Sequence, residues 1–321
     1  DAYATGISVF NYEWMAAIVL VFYAVFMLPQ VLRSRSFTMP EFLERRFDGR
    51  VRSGFSLLTL FLNVVVDMAG SLYAGAVIVK LIYPDVPIWQ SVAVLALLAG
   101  LYTAMAGLTA VIWTDAVQAV LLLVGSIVIS IEAYTRVGGW SAVLEAVPPE
   151  KLSLIRPAGD PGVPWPGLLL GVTLLGFYFW CTNQFMVQRV LAAKNVDHGR
   201  WGALFAGLLK LPVLFVMVLP GTMALLLYPH LQETPDLVYP TLMFDLLPTG
   251  LLGLVFAGFV AALMSQVDST LNSASTLVTM DFVARRRPDL EPRRLKRVGQ
   301  FVTLVFMVVA AAWAPQIERF P

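Results

Sequence analysis

The sequence predicts an all-α integral membrane protein, a bundle of about eight spanning helices, on three observations. Of 321 residues, 58% are hydrophobic and only 13% charged, with mean hydropathy +0.76; water-soluble domains run near about 45–50% apolar and about 25% charged. Eight stretches approach or exceed the roughly 20 apolar residues that a spanning helix needs. Sixteen of the 22 lysines and arginines fall in three alternate connections, the asymmetry that membrane insertion produces.

The stretches are 7–32, 54–82, 87–106, 109–134, 166–187, 201–228, 250–281 and 298–315. The bilayer core offers no water to backbone groups, so each should be helical and packed with its neighbours. Proline-rich connections separate several of them: Pro84 and Pro87, Pro148 to Pro166, and Pro229 to Pro248. The 135–165 loop has room for a short surface helix near 140–147. Pro212 and Pro220 should kink the 201–228 helix and free carbonyls. The basic residues cluster at Arg33 to Arg52, at Arg189, Lys194 and Arg200, and at Arg285 to Arg297, whereas 83–86 and 229–249 carry none. Basic connections stay cytoplasmic, so the first helix starts outside. The chain opens on Asp1 with no signal-peptide pattern, and is expected to be a piece of a longer protein.

Two histidines and one cysteine, Cys181, exclude a zinc cluster or a disulfide scaffold. No nucleotide loop, HExxH or nucleophile elbow is present, so the expectation is not an enzyme, with no nucleic-acid partner. The informative residues are the ionisable groups inside apolar helices, because each costs roughly 3 kcal/mol to insert and ordinarily faces the bundle interior. Glu13, Asp67, Asp115, Lys210 and Asp268 are of this kind. In 250–281, Ser265, Asp268, Ser269, Asn272 and Thr276 fall on one stripe about 100° wide. This column of oxygens suits a hard cation, or equally hydrogen bonding between packed helices; Asp268 tips the reading to an ion path. Asp115 either pairs with a basic group, for which Lys210 is the deeply placed choice, or completes a cation site. Lys210 either donates to substrate hydroxyls or is the counter-ion of Asp67 or Glu13. The aromatic run Phe177 to Trp180 offers flat apolar walls.

Longer stretches carry a resemblance: Ala106-Gly-Leu-Thr-Ala-Val-Ile-Trp-Thr-Asp115, Trp180-Cys-Thr-Asn-Gln-Phe-Met-Val-Gln-Arg-Val-Leu-Ala-Ala-Lys-Asn195, Leu209-Lys-Leu-Pro212 leading to Val218-Leu-Pro-Gly221, and Leu271-Asn-Ser-Ala-Ser-Thr-Leu-Val-Thr-Met-Asp281. Tyr12-Glu-Trp14 and Ser36-Phe-Thr-Met-Pro-Glu-Phe42 fit as well. In these the chain resembles the sodium:solute symporter family, in its sodium/glucose cotransporter-like branch, over nearly its whole length. The resemblance implies a leucine-transporter-type bundle of two inverted five-helix repeats, with sites near the midplane beside broken helices. The eight helices then stand as core helices 2 to 9, with the first and tenth outside the chain. Residues 1–134 belong to the first repeat, 135–165 form an extracellular loop, and 166–321 belong to the second repeat.

The resemblance further implies residue roles. The principal sodium site falls on Ala262, Ser265 and Gln266, where Gln266 replaces a hydroxyl. A second cation site falls on Asp115, Ser265, Asp268 and Ser269. The solute pocket falls on Glu13, Asp67, Gly176, Phe179, Trp180 and Lys210; Gly176 replaces a polar contact, and Phe179 replaces a gate tyrosine. The implied function is sodium-coupled symport of a small polar solute, a monosaccharide or sugar derivative, by alternating access. The protein would be multi-pass in the cell membrane, the inner membrane of a bacterium, with lipid, sodium and solute as partners, as a monomer or weak oligomer. The alternative class is a membrane input module that senses a solute for a signalling protein.

Overall fold

The computed structural model describes residues 1–319, apart from the side chains at 81, 102 and 104–111. Helix accounts for nearly all of it, and the described residues contain no strand, only an isolated bridge between Arg156 and Pro164. In chain order the helices are α1 (Ala2–Ser34), α2 (Met39–Arg46), α3 (Gly49–Lys80), α4 (Ile88–Val137), α5 (Trp140–Ala146), α6 (Trp165–Thr182), α7 (Gln184–Leu191), α8 (Val196–Leu227), α9 (Val238–Leu246), α10 (Thr249–Ala284) and α11 (Pro292–Arg319).

Seven helical stretches among the described residues are long and apolar enough to cross a membrane, and Ile88–Leu101 is a shorter apolar helix. The spans expected at 87–106 and 109–134 both lie within α4. The join between them, and the first part of the motif from Ala106 to Val111, lie outside the described residues. Large apolar side chains stay exposed along the helices, among them Leu57, Leu58 and Phe61 on α3 and Phe301 and Val308 on α11. So much exposed apolar surface is tolerable in lipid and not in water.

Polar caps start the shorter helices. Thr38 Oγ1 accepts the Glu41 N–H at 3.2 Å, and Glu41 Oε2 accepts the Phe37 N–H at 2.9 Å, so the Ser36–Phe42 motif is a helix-initiation signal. Asp48, Asn183 and Asn195 cap α3, α7 and α8 in the same way. The loop helix α5 occupies the place expected at 140–147. Wide π-type turns interrupt five of the long helices, at Tyr23–Met27, Leu62–Met68, Leu168–Val172 with Phe177–Thr182, Leu214–Val218 and Val278–Ala284. The break expected in α8 sits at Leu211 and Pro212, followed by the turn at Leu214–Val218. Ser130 Oγ donates to the Val216 carbonyl at 3.1 Å, four residues before Pro220, which has no N–H to offer it.

The chain divides into two compact units. One comprises 1–29, 120–182 and 193–257; the other comprises 30–119, 183–192 and 258–321. The first is built on Ile129, Ala133, Met223, Leu242, Met243 and Val255. Its helix α1 lies along α8, where Gly207 approaches the Ala17 backbone and Leu20. Gly6, at φ +78°, faces the Lys151 backbone, and Lys151 Nζ donates to the Tyr3 carbonyl at 3.1 Å. The core of the second unit holds Met68, Ala76, Val92, Ala99, Leu271, Ala274 and Ala310. There α3 and α10 run antiparallel: Arg52 and Ser56 meet Asp281, Asn63 meets Ser273, and Gly75 lies against Leu263.

Candidate functional site

In the first unit, Glu13 on α1 and Lys210 on α8 form an ion pair at 2.7 Å, both half-buried. The Lys210 ammonium also lies 5.0 Å from the centre of the Trp180 ring on α6, a cation–π position. Phe179 stands edge-on to Trp180 at 5.0 Å. Of the partners open to Lys210 in the sequence, the structure selects Glu13. Upstream, Asn11 fixes the start of the helix: its amide nitrogen donates to the carbonyls of Ser8 and Leu154, and its oxygen accepts the Trp14 indole N–H at 2.6 Å. Gly176 lies against Val19, where a Cβ would meet a methyl at 3.3 Å. Five of the six expected solute-pocket residues therefore belong to this unit: Glu13 and Lys210 form the ion pair, Trp180 lies beside it, Phe179 packs on Trp180, and Gly176 lies on the same helix as these two aromatics. Asp67 belongs to the other unit. It is half-buried in the π turn of α3, its carbonyl accepts from Ser71 Oγ at 2.8 Å, and no charged partner reaches it among the described residues.

The second unit gathers the polar stripe of α10. Ser265 Oγ donates to Asp115 Oδ1. The other Asp115 oxygen accepts Arg189 Nη2 at 2.8 Å, and the same nitrogen donates to Ser269 Oγ at 2.6 Å. Arg189 Nη1 is held by the Phe185 carbonyl at 2.7 Å, and Gln188 Nε2 donates to the Ser269 carbonyl at 3.3 Å. Asp268, 3% exposed, accepts from Thr103 Oγ1 at 2.7 Å. Ala262 and Gln266 lie on the same stretch, half-buried, and the Gln266 carbonyl accepts from Thr270 Oγ1 at 2.8 Å. Asp115, Ser265 and Ser269 are thus brought together, with a guanidinium among them.

Arg189 corrects the expectation that Lys210 is the deep basic partner available to Asp115. Among spaced arginines at a helix end it reads as a topology signal, and only the fold carries it across 74 residues to Asp115. Not every hydroxyl of α10 belongs to the stripe. Ser273 accepts from Asn63 Nδ2 at 2.9 Å, and Ser275 donates to the Gly299 carbonyl at 2.8 Å; these tie α10 to α3 and α11 as interhelical bonds.

A third polar centre escaped the sequence reading. Asp281, with a fully buried side chain, accepts from Thr38 Oγ1 (2.8 Å), Arg52 Nε (2.9 Å), Arg52 Nη2 (2.7 Å) and Ser56 Oγ (2.9 Å). Arg52 continues to Glu44 at 2.6 Å, and Glu44 to Arg285 at 2.7 Å. The only sequence signal was Asp281 closing the motif that begins at Leu271. Among the described residues no three His, Cys, Asp or Glu side chains converge on a metal position. A site for an alkali cation is built instead from single carboxylates with neutral oxygens.

The sodium:solute symporter family model matches residues 1–319. Sodium/myo-inositol cotransporter 2 of Oryctolagus cuniculus is 36% identical over 98% of this chain and 52% of its own length. The sodium/mannose cotransporter of Bos taurus is 34% identical over 97% of this chain and 58% of its own length. Sodium/glucose cotransporter 1 of Oryctolagus cuniculus is 32% identical, over 98% and 53%. The chain thus spans about half the length of these relatives. A solved structure of a Na+-coupled sialic acid symporter, in a substrate-bound outward-open state, superposes with TM-score 0.87 over 99% of this chain and 70% of that one, at 22% identity. This is the leucine-transporter-type fold expected above.

Proposed function

The chain belongs to the sodium:solute symporter family, and from that premise we propose that the protein couples the downhill entry of sodium to the uphill entry of a small polar solute by alternating access. The observation that carries the proposal is the concentration of charged and oxygen-bearing side chains on α10 and around Lys210, in helices that otherwise meet lipid. Burying these groups is costly, and cation and solute binding give them a use.

The solute is a monosaccharide or sugar derivative. Inositol, mannose and glucose, named for the matched relatives, are neutral polyols with one polar rim and two less polar faces. The Glu13 carboxylate and Lys210 ammonium present an acceptor and a donor 2.7 Å apart, a spacing suited to adjacent ring hydroxyls. Trp180 and Phe179 supply a flat surface for the C–H face. Gly176 brings α6 close to Val19 of α1. Sodium is taken by Ala262 through its carbonyl, with Ser265 and Gln266, and a second cation enters the cluster that the acids and hydroxyls at 115, 265, 268 and 269 form. The chain works as a multi-pass protein of a cell membrane, the bacterial inner membrane. The named relatives are cotransporters, which lends the sensor-module alternative no support.

Each sodium crossing 100 mV releases roughly 2.3 kcal/mol, and a tenfold sodium gradient adds about 1.4 kcal/mol. One ion thus sustains a solute gradient of about 500-fold, and two ions roughly its square. The test is uptake of labelled glucose, mannose and myo-inositol into vesicles holding the full-length protein. An inward sodium gradient should drive accumulation of at least one of them. Equal uptake in potassium refutes the coupling, and sodium-driven uptake of none of the three refutes the solute class.

A further inference from the structure

Two carboxylates meet at the polar stripe of α10, Asp268 on the stripe and Asp115 reaching it from α4, but they are differently provided for. Asp115 is neutralised by the chain itself: Arg189 lies 2.8 Å away and is held in place by Ser269 and the Phe185 carbonyl. Asp268 lies one helical turn beyond Ser265, the residue that binds the other oxygen of Asp115. It is 97% buried by its 3% exposure, and no lysine, arginine or histidine reaches it among the described residues. Its one hydrogen-bond partner there is Thr103 Oγ1 at 2.7 Å, a hydroxyl that also lies 2.9 Å from the Ala99 carbonyl. A threonine hydroxyl has a single hydrogen and cannot serve both acceptors fully. A carboxylate so placed is neutralised either by a cation beside it or by a proton.

We propose that Arg189 acts as a built-in cation for Asp115, and that the alkali cation of the second site is held instead by Asp268 with the Thr103 hydroxyl oxygen. The inference rests on the sodium-coupled reading above and refines where one ion sits. Charge balance fixes its capacity. Two carboxylates and one guanidinium leave a single negative charge, so the cluster takes one monovalent cation, not two. When the cation enters, Thr103 turns its hydrogen to the Ala99 carbonyl and offers a lone pair inward. Thr103 is therefore a ligand that the stripe on α10 does not reveal, and Arg189 sets which acid remains open.

The test uses the purified full-length protein with sodium alone as the probe, potassium replacing it at constant ionic strength and pH. Sodium binding is read by radiolabelled ion and by the sodium-dependent rise in melting temperature; the melt in potassium reports folding of each variant. D268N is expected to weaken the apparent sodium Kd at this site at least tenfold, and T103V about three- to tenfold. The charge-neutral pair D115N/R189Q is expected to weaken it less than D268N does, by under threefold. If the double variant does not fold, D268N and T103V still decide. A double variant that loses sodium while D268N keeps it overturns the assignment alone, because Asp115 would then be the ligand. D268N that binds sodium like the wild type overturns it too, and uptake of a proton by the wild type in place of that sodium would identify what Asp268 carries. Wild-type protein that binds sodium no better than potassium overturns both this assignment and the coupled reading.

Discussion

Replacing Asp281 with asparagine tests the energetic reading of the buried charge centre. The carboxylate has no exposed side-chain surface, accepts four hydrogen bonds, and faces Arg52, whose side chain is only 10% exposed. Removing one partner of a buried pair costs about 3–5 kcal/mol, because the survivor is left without its counter-charge. Arg52 would keep Glu44 at 2.6 Å and the Met280 carbonyl at 3.2 Å, which puts the loss near the lower end, about 3 kcal/mol. At about 2–4 °C per kcal/mol for chains of this order, D281N should melt about 6–12 °C below the wild type. The assay is tryptophan fluorescence of the full-length protein in detergent. R52Q/D281N removes both charges and should recover part of the loss, with a coupling of about 2 kcal/mol across the four proteins. A shift under about 1 °C for D281N, or strict additivity in the double variant, refutes the claim that this centre holds α3 and α10 together.

Other outcomes follow from the same contacts. E13Q and K210M should each reduce solute uptake at least about tenfold while moving the melting temperature little, since the side chains keep 29% and 27% of their surface exposed and pairs open to solvent contribute about 1 kcal/mol or less; a large loss of stability with normal uptake would contradict the solute role. G6A forces a left-handed backbone onto alanine, about 1–2 kcal/mol, and drives a Cβ into the Lys151 backbone; trypsin should then cut faster after Lys151, and an unchanged rate would contradict the docking of this loop. Burial of Asp160 works against its charge, but the Gly162 and Val163 N–H groups and Arg156 outweigh it and hold its pKa below the usual carboxylate value. A depressed pKa means that the folded loop binds fewer protons than the unfolded one, so its stability is present above the ordinary carboxylate range and is lost as pH falls through the lowered value. Hydrogen exchange should therefore show the Gly162 and Val163 amides losing protection on acidification, and D160A, which has no side-chain acceptor, should lack that protection at every pH.

Much of the architecture is legible because lipid imposes it: long apolar stretches must be helices, and Pro212 must break one of them. The short loop helix at Trp140–Ala146 is legible too, since polar punctuation brackets a few apolar residues. Less legible are the contacts that require two helices in register. Lys210 carries no mark that favours Glu13 over Asp67, and the choice follows from α1 packing on α8 through Gly207. Arg189 resembles any arginine at a helix end until α4, α7 and α10 bring 115, 189 and 269 together. The hydroxyls of Ser273 and Ser275 look like ion ligands by composition, whereas the structure engages them with Asn63 and Gly299. The split into two compact units is equally invisible locally, because it depends on contacts between segments distant in the chain.

The antiparallel pairing of α3 and α10 is graded along its length. At one end Asp281 joins Arg52, Thr38 and Ser56 by charged and multiple bonds. About 12–16 Å further along, at 1.5 Å per residue, a single neutral bond links Asn63 to Ser273. Further along still, Gly75 lies against the aliphatic side chain of Leu263. A pair of rods clamped at one tip and merely greased at the other tilts about the clamp. The fulcrum for any such tilting is Asp281, and the greatest travel falls to the aliphatic end.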